Sequence, residues 1–265
     1  KKNLIKMIPS FLKPISSKNS DLVRIGSKYD GGYVVNKTVL KKTEILISYG
    51  ISDNFDFEKN FQKLSNCYVD SYDYSIDKQF WLKRFRLDCI KLFCLKIFTP
   101  SKFINIFKFL EFYLFYNKKK NNFYLKKISN KKNYLPFRKT IKNNKFKKIF
   151  LKIDIEGSEY EFIHELKNYS KFLTGFVIEF HSVHKNLSKI KKFIYNLKNF
   201  KLIHVHGNTY SKINKNFIPD VLELTFSNKN LFSQSEKKNK KKYPLPGLDF
   251  PNHKRHSQFD LKFSN

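Results

Sequence analysis

The stretch Ile149–Tyr160, IFLKIDIEGSEY, sets two carboxylates, Asp154 and Glu156, directly behind an apolar run. A strand interior excludes unpaired carboxylates, so both must emerge at the strand's exposed end, where Gly157 permits a sharp turn. Ser158 suits the N-cap of a following helix, and Glu161 three residues on completes a capping box. Carboxylates so placed can hold a substrate, a cation or a proton. The next strand-like run, VIEFHSVH, closes with Glu179 and His181, and IHVHGN supplies His204, His206 and Asn208. His204 and His206 alternate with apolar residues and therefore share one face of a strand. Histidine is the usual general base near neutral pH, which makes His181 and His206 the candidates for that role. Asp154, Glu179 and His206 together could also hold a divalent metal.

A second group lies in ILISYGISDNFDFEKNF. A glycine directly after a buried strand lets the backbone turn tightly and brings the amides of the next helix toward a ligand. Asp73 follows at the end of the next strand-like run. In dinucleotide-type sites a carboxylate about 20 residues on accepts hydrogen bonds from ribose hydroxyls. Tyr49, Gly50, Ser52, Asp53 and Asp73 are the candidate cofactor contacts; Asp30, Tyr33 and Asn208 are the candidate substrate contacts.

These residues need elements to position them. Leu22–Gly26 and Tyr33–Asn36 flank Asp30-Gly31-Gly32 and read as a hairpin, after a helical or irregular lead-in broken by Pro9 and Pro14. From Glu44 short apolar strands alternate with amphipathic helices. The strands fall at Ile45–Tyr49, Cys67–Tyr72, Ile149–Ile153, Phe176–Phe180, Leu202–Val205 and Val221–Phe226, the helices near Phe55–Leu64, Ser158–Leu166 and Leu187–Leu197. Such alternation predicts a mostly parallel sheet with helices on both faces and a ligand at the strands' carboxyl ends. Residues 77–122 interrupt it with a basic, aromatic helical insertion, which Pro100 splits in two. The insertion reads as a lid or cap; it also suits an anionic membrane surface. The chain thus divides into a lead-in with hairpin (1–43), an α/β domain (44–228) and a basic tail (229–265), whose Lys237–Lys242 run reads as a solvated loop.

At these motifs the sequence resembles the FkbM-type methyltransferases. The family's Asp-x-Glu-Gly-x-Glu is matched by Asp154–Glu159, and its leading Arg-x-Gly…Asp-Gly-Gly-Tyr by Arg24–Gly26 and Asp30–Tyr33. Ser48-Tyr49-Gly50 matches the first loop, and His204–Asn208 with Pro219–Thr225 the closing segment. The glycine-rich loop departs from the pattern, because GISD keeps only Gly50. The resemblance implies a Rossmann-like class I methyltransferase fold, S-adenosylmethionine as cofactor and methyl transfer to a hydroxyl of a sugar, glycan or small metabolite.

The 265 residues carry a net charge of +31, which would suit a polyanionic partner. Almost all the cations are Lys, however, alongside abundant Asn, Ile and Phe. That pattern reads as compositional bias, since nucleic-acid readers recruit Arg forks. The competing reading is a basic protein that docks on nucleic acid or an anionic membrane through an inactive methyltransferase fold. Cys67, Cys89 and Cys94 form no CxxC pair, and no apolar run is long enough to span a bilayer. The expectation is a cytoplasmic enzyme, with membrane-peripheral contact through the insertion.

Overall fold

The computed structural model describes residues 4–16, 18–94, 107–211, 218–231, 237 and 239–264. Strand β1 (Leu4–Ile8) and the hairpin of β2 (Leu22–Gly26) and β3 (Gly32–Asn36) precede the main sheet. That sheet comprises β4 (Ile45–Tyr49), β5 (Tyr68–Tyr72), β6 (Asn121–Tyr124), β7 (Ile149–Ile153), β8 (Leu173–Phe180), β9 (Phe200–Gly207) and β10 (Leu222–Asn228). Its order is β6-β5-β4-β7-β8-β10-β9. All neighbours from β6 to β8 pair in parallel, and β10 runs antiparallel to both β8 and β9. The helices are α1 (Lys37–Lys41), α2 (Asp56–Ser65), α3 (Lys78–Cys89), α4 (Lys108–Tyr116), α5 (Phe137–Lys142) and α6 (Val183–Asn196). This is the Rossmann-like architecture expected from the alternation of elements.

The apolar strands are buried on both faces, and their period of two divides the core. Ile45, Ile47, Tyr49, Leu151 and Ile153 pack with Phe137 of α5 and Phe193 of α6. Leu46 and Phe150 point the other way, toward Phe57 and Phe61 of α2. Phe150 is fully buried, so its truncation to Ala would cost roughly 3–5 kcal/mol. After β4 the chain steps outward to β5, and later returns to lay β7 on β4's other side. The crevice at that reversal is where open α/β sheets hold ligands.

Several boundaries differ from expectation. The lead-in is not helical at its start: β1 pairs in parallel with β11 (Phe259–Phe263), near the other end of the chain. Tyr243, Leu245, Phe259 and Leu261 join the main core together with Ile8, Leu12, Ile15, Leu22 and Val34, so the described residues before β4 and after β10 pack into one core with the sheet. The Lys-rich run is pinned as well, because the buried Asn239 donates its amide to Pro14 and its Nδ2 to Tyr243 Oη. The helix expected at Ser158–Leu166 is instead two 3-10 segments, Ser158–Glu161 and Ile163–Tyr169, interrupted at Phe162 with φ −132°. Ser158 does not cap it. Glu161 reaches Ser129 and the Asn130 amide rather than closing a capping box.

The insertion ends in β6, a short Asn-containing edge strand without the apolar run that betrays the others. Its helices bury Trp81, Phe112 and Phe115 against the α2 side of the sheet, as a cap would. Pro100, the expected break, lies outside the described residues.

Gly50 and Gly157 both have left-handed backbones, φ 73° and 100°, but their surroundings differ. A β-carbon on Gly50 would stand 1.6 Å from the Asp154 carbonyl oxygen, whereas one on Gly157 meets nothing within 4 Å. Gly50→Ala is therefore expected to cost roughly 4 kcal/mol or more, through steric overlap with backbone that cannot yield. Gly157→Ala should cost about 1–2 kcal/mol, the backbone penalty alone. Urea unfolding midpoints of the two variants measure the difference.

Candidate functional site

The carboxyl ends of β4, β5 and β7 open onto a cavity of about 330 Å³. Gly50, Ser52 and Asn54 wall it after β4, Tyr72, Asp73, Tyr74 and Ser75 after β5, and Lys152, Asp154 and Glu156 on β7's side. The hairpin turn contributes Asp30 and Gly31, and Lys126 and Lys127 close the far side.

Asp73 shapes the first loop. Its Oδ2 accepts the amides of Ile51 and Ser52, both at 2.9 Å, while Oδ1 accepts the Ser75 amide at 2.8 Å and hydroxyl at 2.6 Å. The carboxylate expected to meet a ribose thus has both oxygens on protein donors, and it holds Ser52 at φ 48°. Below the loop Lys152, 3% exposed, donates to the Gly50 carbonyl at 2.6 Å and lies 3.6 Å from Glu58 Oε1. Burial alone would lower the Lys152 pKa, but the charges of Glu58, Asp154, Glu179 and Asp73 hold it above the ordinary lysine value. A lysine inside the apolar run IFLKI was the visible signal for this residue, masked by the carboxylates beyond it.

Next to the cavity the ends of β7 and β8 bring four of the expected residues together. His181 Nε2 stands 3.4 Å from Glu156 Oε2, 3.5 Å from Glu179 Oε1 and 4.0 Å from Asp154 Oδ1. Tyr33 Oη, from the hairpin, donates to Asp154 Oδ2 at 3.2 Å and is 3.3 Å from Glu179 Oε2, and Asn208 Nδ2 donates to Glu179 Oε1 at 3.1 Å. On the other edge of the ring, Nδ1 meets the fully buried Glu159 at 3.2 Å. Glu159 also accepts the amides of Gly157 and His181, so it ties the turn after β7 to the end of β8. Burial would lower the His181 pKa; the Glu159 hydrogen bond and the charges of Glu159, Asp154 and Glu156 raise it above 6.5. Burial, reinforced by Asp154 and Glu223, pushes the Glu179 carboxyl well above its ordinary value. Asp154 is also raised by burial, against the charges of Lys152 and His181.

No family model matches the sequence, and no curated protein matches it. Among solved structures, the chain is similar to that of a fibrillarin/Nop5p complex at 11% identity, with 86% of this chain and 100% of that one covered and a TM-score of 0.38. A precorrin-6y C5,15-methyltransferase from Geobacter metallireducens shares 10% identity over 72% of this chain and 84% of its own, with a TM-score of 0.36. The M. jannaschii TYW2 in complex with AdoMet shares 11% identity over 72% and 73%, with a TM-score of 0.34. Likeness at this level transfers no chemistry.

Other expected site residues lie elsewhere. Tyr49 is fully buried in the core, bonded to Thr140 Oγ1 at 2.5 Å, and faces away from the cavity. Asp53 turns to the insertion, pairing with Arg84 at 2.7 Å. His206 does share a face with His204, but that face belongs to Asp249: His204 Nε2 lies 3.1 Å and His206 Nδ1 3.6 Å from Asp249 Oδ1. Among the described residues His206 forms no ion pair with Asp154 or Glu179, so the metal set expected from sequence does not assemble. Burial drives the His206 pKa down to about 4, which keeps the ring neutral. Gly50 owes its identity to the Asp154 backbone, whatever ligand the cavity holds.

A further layer came from segments without a readable motif. Asn252 donates to Glu223 Oε1 at 2.9 Å and to Asp30 Oδ1 at 3.3 Å, and Arg24 binds the carbonyls of Ser27, Tyr29 and Leu248. The chain's last part is thereby fastened beneath the hairpin turn. Burial pushes Glu223 up to about 8 from 4.5, against the Asn252 hydrogen bond and the Arg24 charge. Between those two values the folded state holds a proton that the unfolded state has lost, so this group's contribution to stability falls as pH rises. Glu223→Gln keeps the acceptor and removes the titration. The variant should gain thermal stability relative to the parent between pH 5 and pH 8.5, a trend that paired melting curves across that range would detect.

Proposed function

We propose that this chain transfers the methyl group of S-adenosylmethionine to a hydroxyl oxygen of a small-molecule or glycan acceptor. The observation that carries the reading is the double position of Asp154. It walls the cavity at the β4–β7 reversal and also belongs to the cluster of Tyr33, Glu179 and His181. A cofactor lying along Gly50–Ser52 and Tyr72–Ser75 therefore has its acceptor's natural place beside it. The ordered motifs shared with the FkbM-type methyltransferases support the same assignment.

Methyl transfer from a sulfonium is an in-line displacement. The acceptor oxygen forms a bond to carbon, the sulfur keeps the electron pair of the broken S–C bond, and the oxygen gives up one proton. The protein's work is alignment and removal of that proton. The loop fixed by Asp73 and Lys152 provides the first, and the Asp154–Glu179–His181 cluster provides the second.

Calorimetry with the full chain tests the reading. S-adenosylmethionine and S-adenosylhomocysteine should each bind saturably, one per chain, and Tyr74→Ala on the cavity wall should weaken both by about tenfold, the contribution of one aromatic contact. The absence of binding by either compound rejects the assignment.

The insertion favours a second, compatible property. On α3 and the π-helical turn Ile90–Cys94, the exposed Leu82, Phe85, Ile90 and Phe93 lie among Lys83, Arg86 and Lys91. No helix among the described residues is long and apolar enough to cross a membrane. A basic, apolar helical surface of this kind suits peripheral docking on anionic lipid. Co-sedimentation with phosphatidylserine vesicles should then weaken in Phe85→Glu and fall as salt rises.

A further inference from the structure

The ring of His181 faces an arrangement that a proton transfer alone does not require. The buried Glu159 engages Nδ1, which fixes the ring and leaves the Nε2 lone pair to the opposite side when the imidazole is neutral. On that side stand Glu156, Glu179 and Asp154, at 3.4, 3.5 and 4.0 Å. With the ring neutral, that lone pair faces the Glu156 and Asp154 oxygens across a gap that a cation would bridge. The outer oxygen of Asp154 is held by Tyr33, which turns the other toward His181. One ligand atom each from Asp154, Glu156 and His181 lie within 4.8 Å of one another. Two ligands at about 2.0–2.1 Å from a metal in tetrahedral directions are ~3.4 Å apart; the 3.4 Å between Glu156 and His181 is such an edge, and Asp154, at 4.0 Å from His181, lies just beyond it.

We propose that Asp154, Glu156 and His181 bind a divalent cation of the Mn²⁺ or Zn²⁺ type, with Glu159 as the carboxylate that orients the histidine. Mixed carboxylate and imidazole donors suit such ions, and three protein ligands leave positions open toward the cavity. The site deepens the methyltransferase reading and rests on it for its role. The acceptor hydroxyl would take an open position, and its O–H bond breaks heterolytically with the proton passing to Glu179, the member of the cluster outside the ligand set. The oxygen's electron pair then forms the O–CH₃ bond as the S–CH₃ bond breaks to a neutral thioether. The set differs from the one expected from sequence by exchanging His206 and Glu179 for His181 and Glu156.

The test uses chelator-stripped full-length protein titrated with Mn²⁺, followed by calorimetry and by electron paramagnetic resonance of the free ion. One Mn²⁺ per chain is expected, with affinity at least tenfold weaker in Glu156→Gln and in His181→Asn. Glu156 is largely exposed, so its variant folds even if the histidine variant does not. No saturable Mn²⁺ or Zn²⁺ binding, or binding that Glu156→Gln leaves unchanged, overturns the site. S-adenosylmethionine is titrated separately with and without chelator. Cofactor binding without metal binding rejects this site and leaves the enzyme reading standing; metal binding sensitive to Glu156→Gln without cofactor binding upholds the site and rejects the enzyme reading.

Discussion

Gly50 and Asp154 follow the ends of two adjacent parallel strands, and their backbones approach so closely that no β-carbon fits between them. That contact brings the loop after β4 against the turn after β7. Two side chains then fix the loop from opposite sides: Asp73 gathers the amides of Ile51 and Ser52, and Lys152 binds the carbonyl of Gly50. The amides of Gly50, Ile51 and Ser52 and the carbonyl of Gly50 thus all have partners within the protein. The cavity is the space that remains once these bonds are made. Its shape follows from the sheet's reversal of strand order and from Gly50, Asp73 and Lys152, which also line it.

The charge distribution separates the surface from the site. A chain with a net charge of +31 concentrates carboxylates at the carboxyl edge of its sheet, where Asp30, Asp154, Glu156, Glu159, Glu179 and Glu223 meet Lys152, Arg24 and His181. Buried carboxylates repel one another and resist desolvation, so Glu179 and Glu223 retain protons more readily than free side chains do. The opposite case is Asp249. It faces His204, whose charge and hydrogen bond, helped by the Leu245 amide, hold its carboxyl below the ordinary value despite burial. Two acid–histidine groups therefore sit at β8 and β9, which β10 separates, with different electrostatics, and the one at His181 adjoins the cavity through Asp154 and Glu156.

The sheet was legible because burial on both faces demands unbroken apolar runs. Ile45–Tyr49 and Ile149–Ile153 were bounded correctly for that reason, and the hairpin followed from Asp-Gly chemistry. Asp154, Glu156, Glu179 and His181 were legible as polar residues that such strands can carry only at their ends. Tyr49 and Asp53 were misplaced because neighbourhood in sequence says nothing of the direction a side chain takes. His206 was misplaced because its partner, Asp249, arrives from 43 residues later, the offset from His206. Contacts from the closing segment, such as Asn252 with Glu223, have no local pattern at all. Glu159 lay inside the recognised motif, yet its burial depends on His181 folding over it.

On the proposed reading the Asp73-fastened loop and the Asp154 edge form one ligand site. Hydrogen–deuterium exchange of the full chain, with and without S-adenosylhomocysteine, addresses it most directly. Exchange at residues 50–54 and 72–75 should slow when the compound is present. Unchanged exchange there, with protection appearing instead in the groove lined by Ile163, Lys167, Lys189 and Phe193 or nowhere, would contradict it.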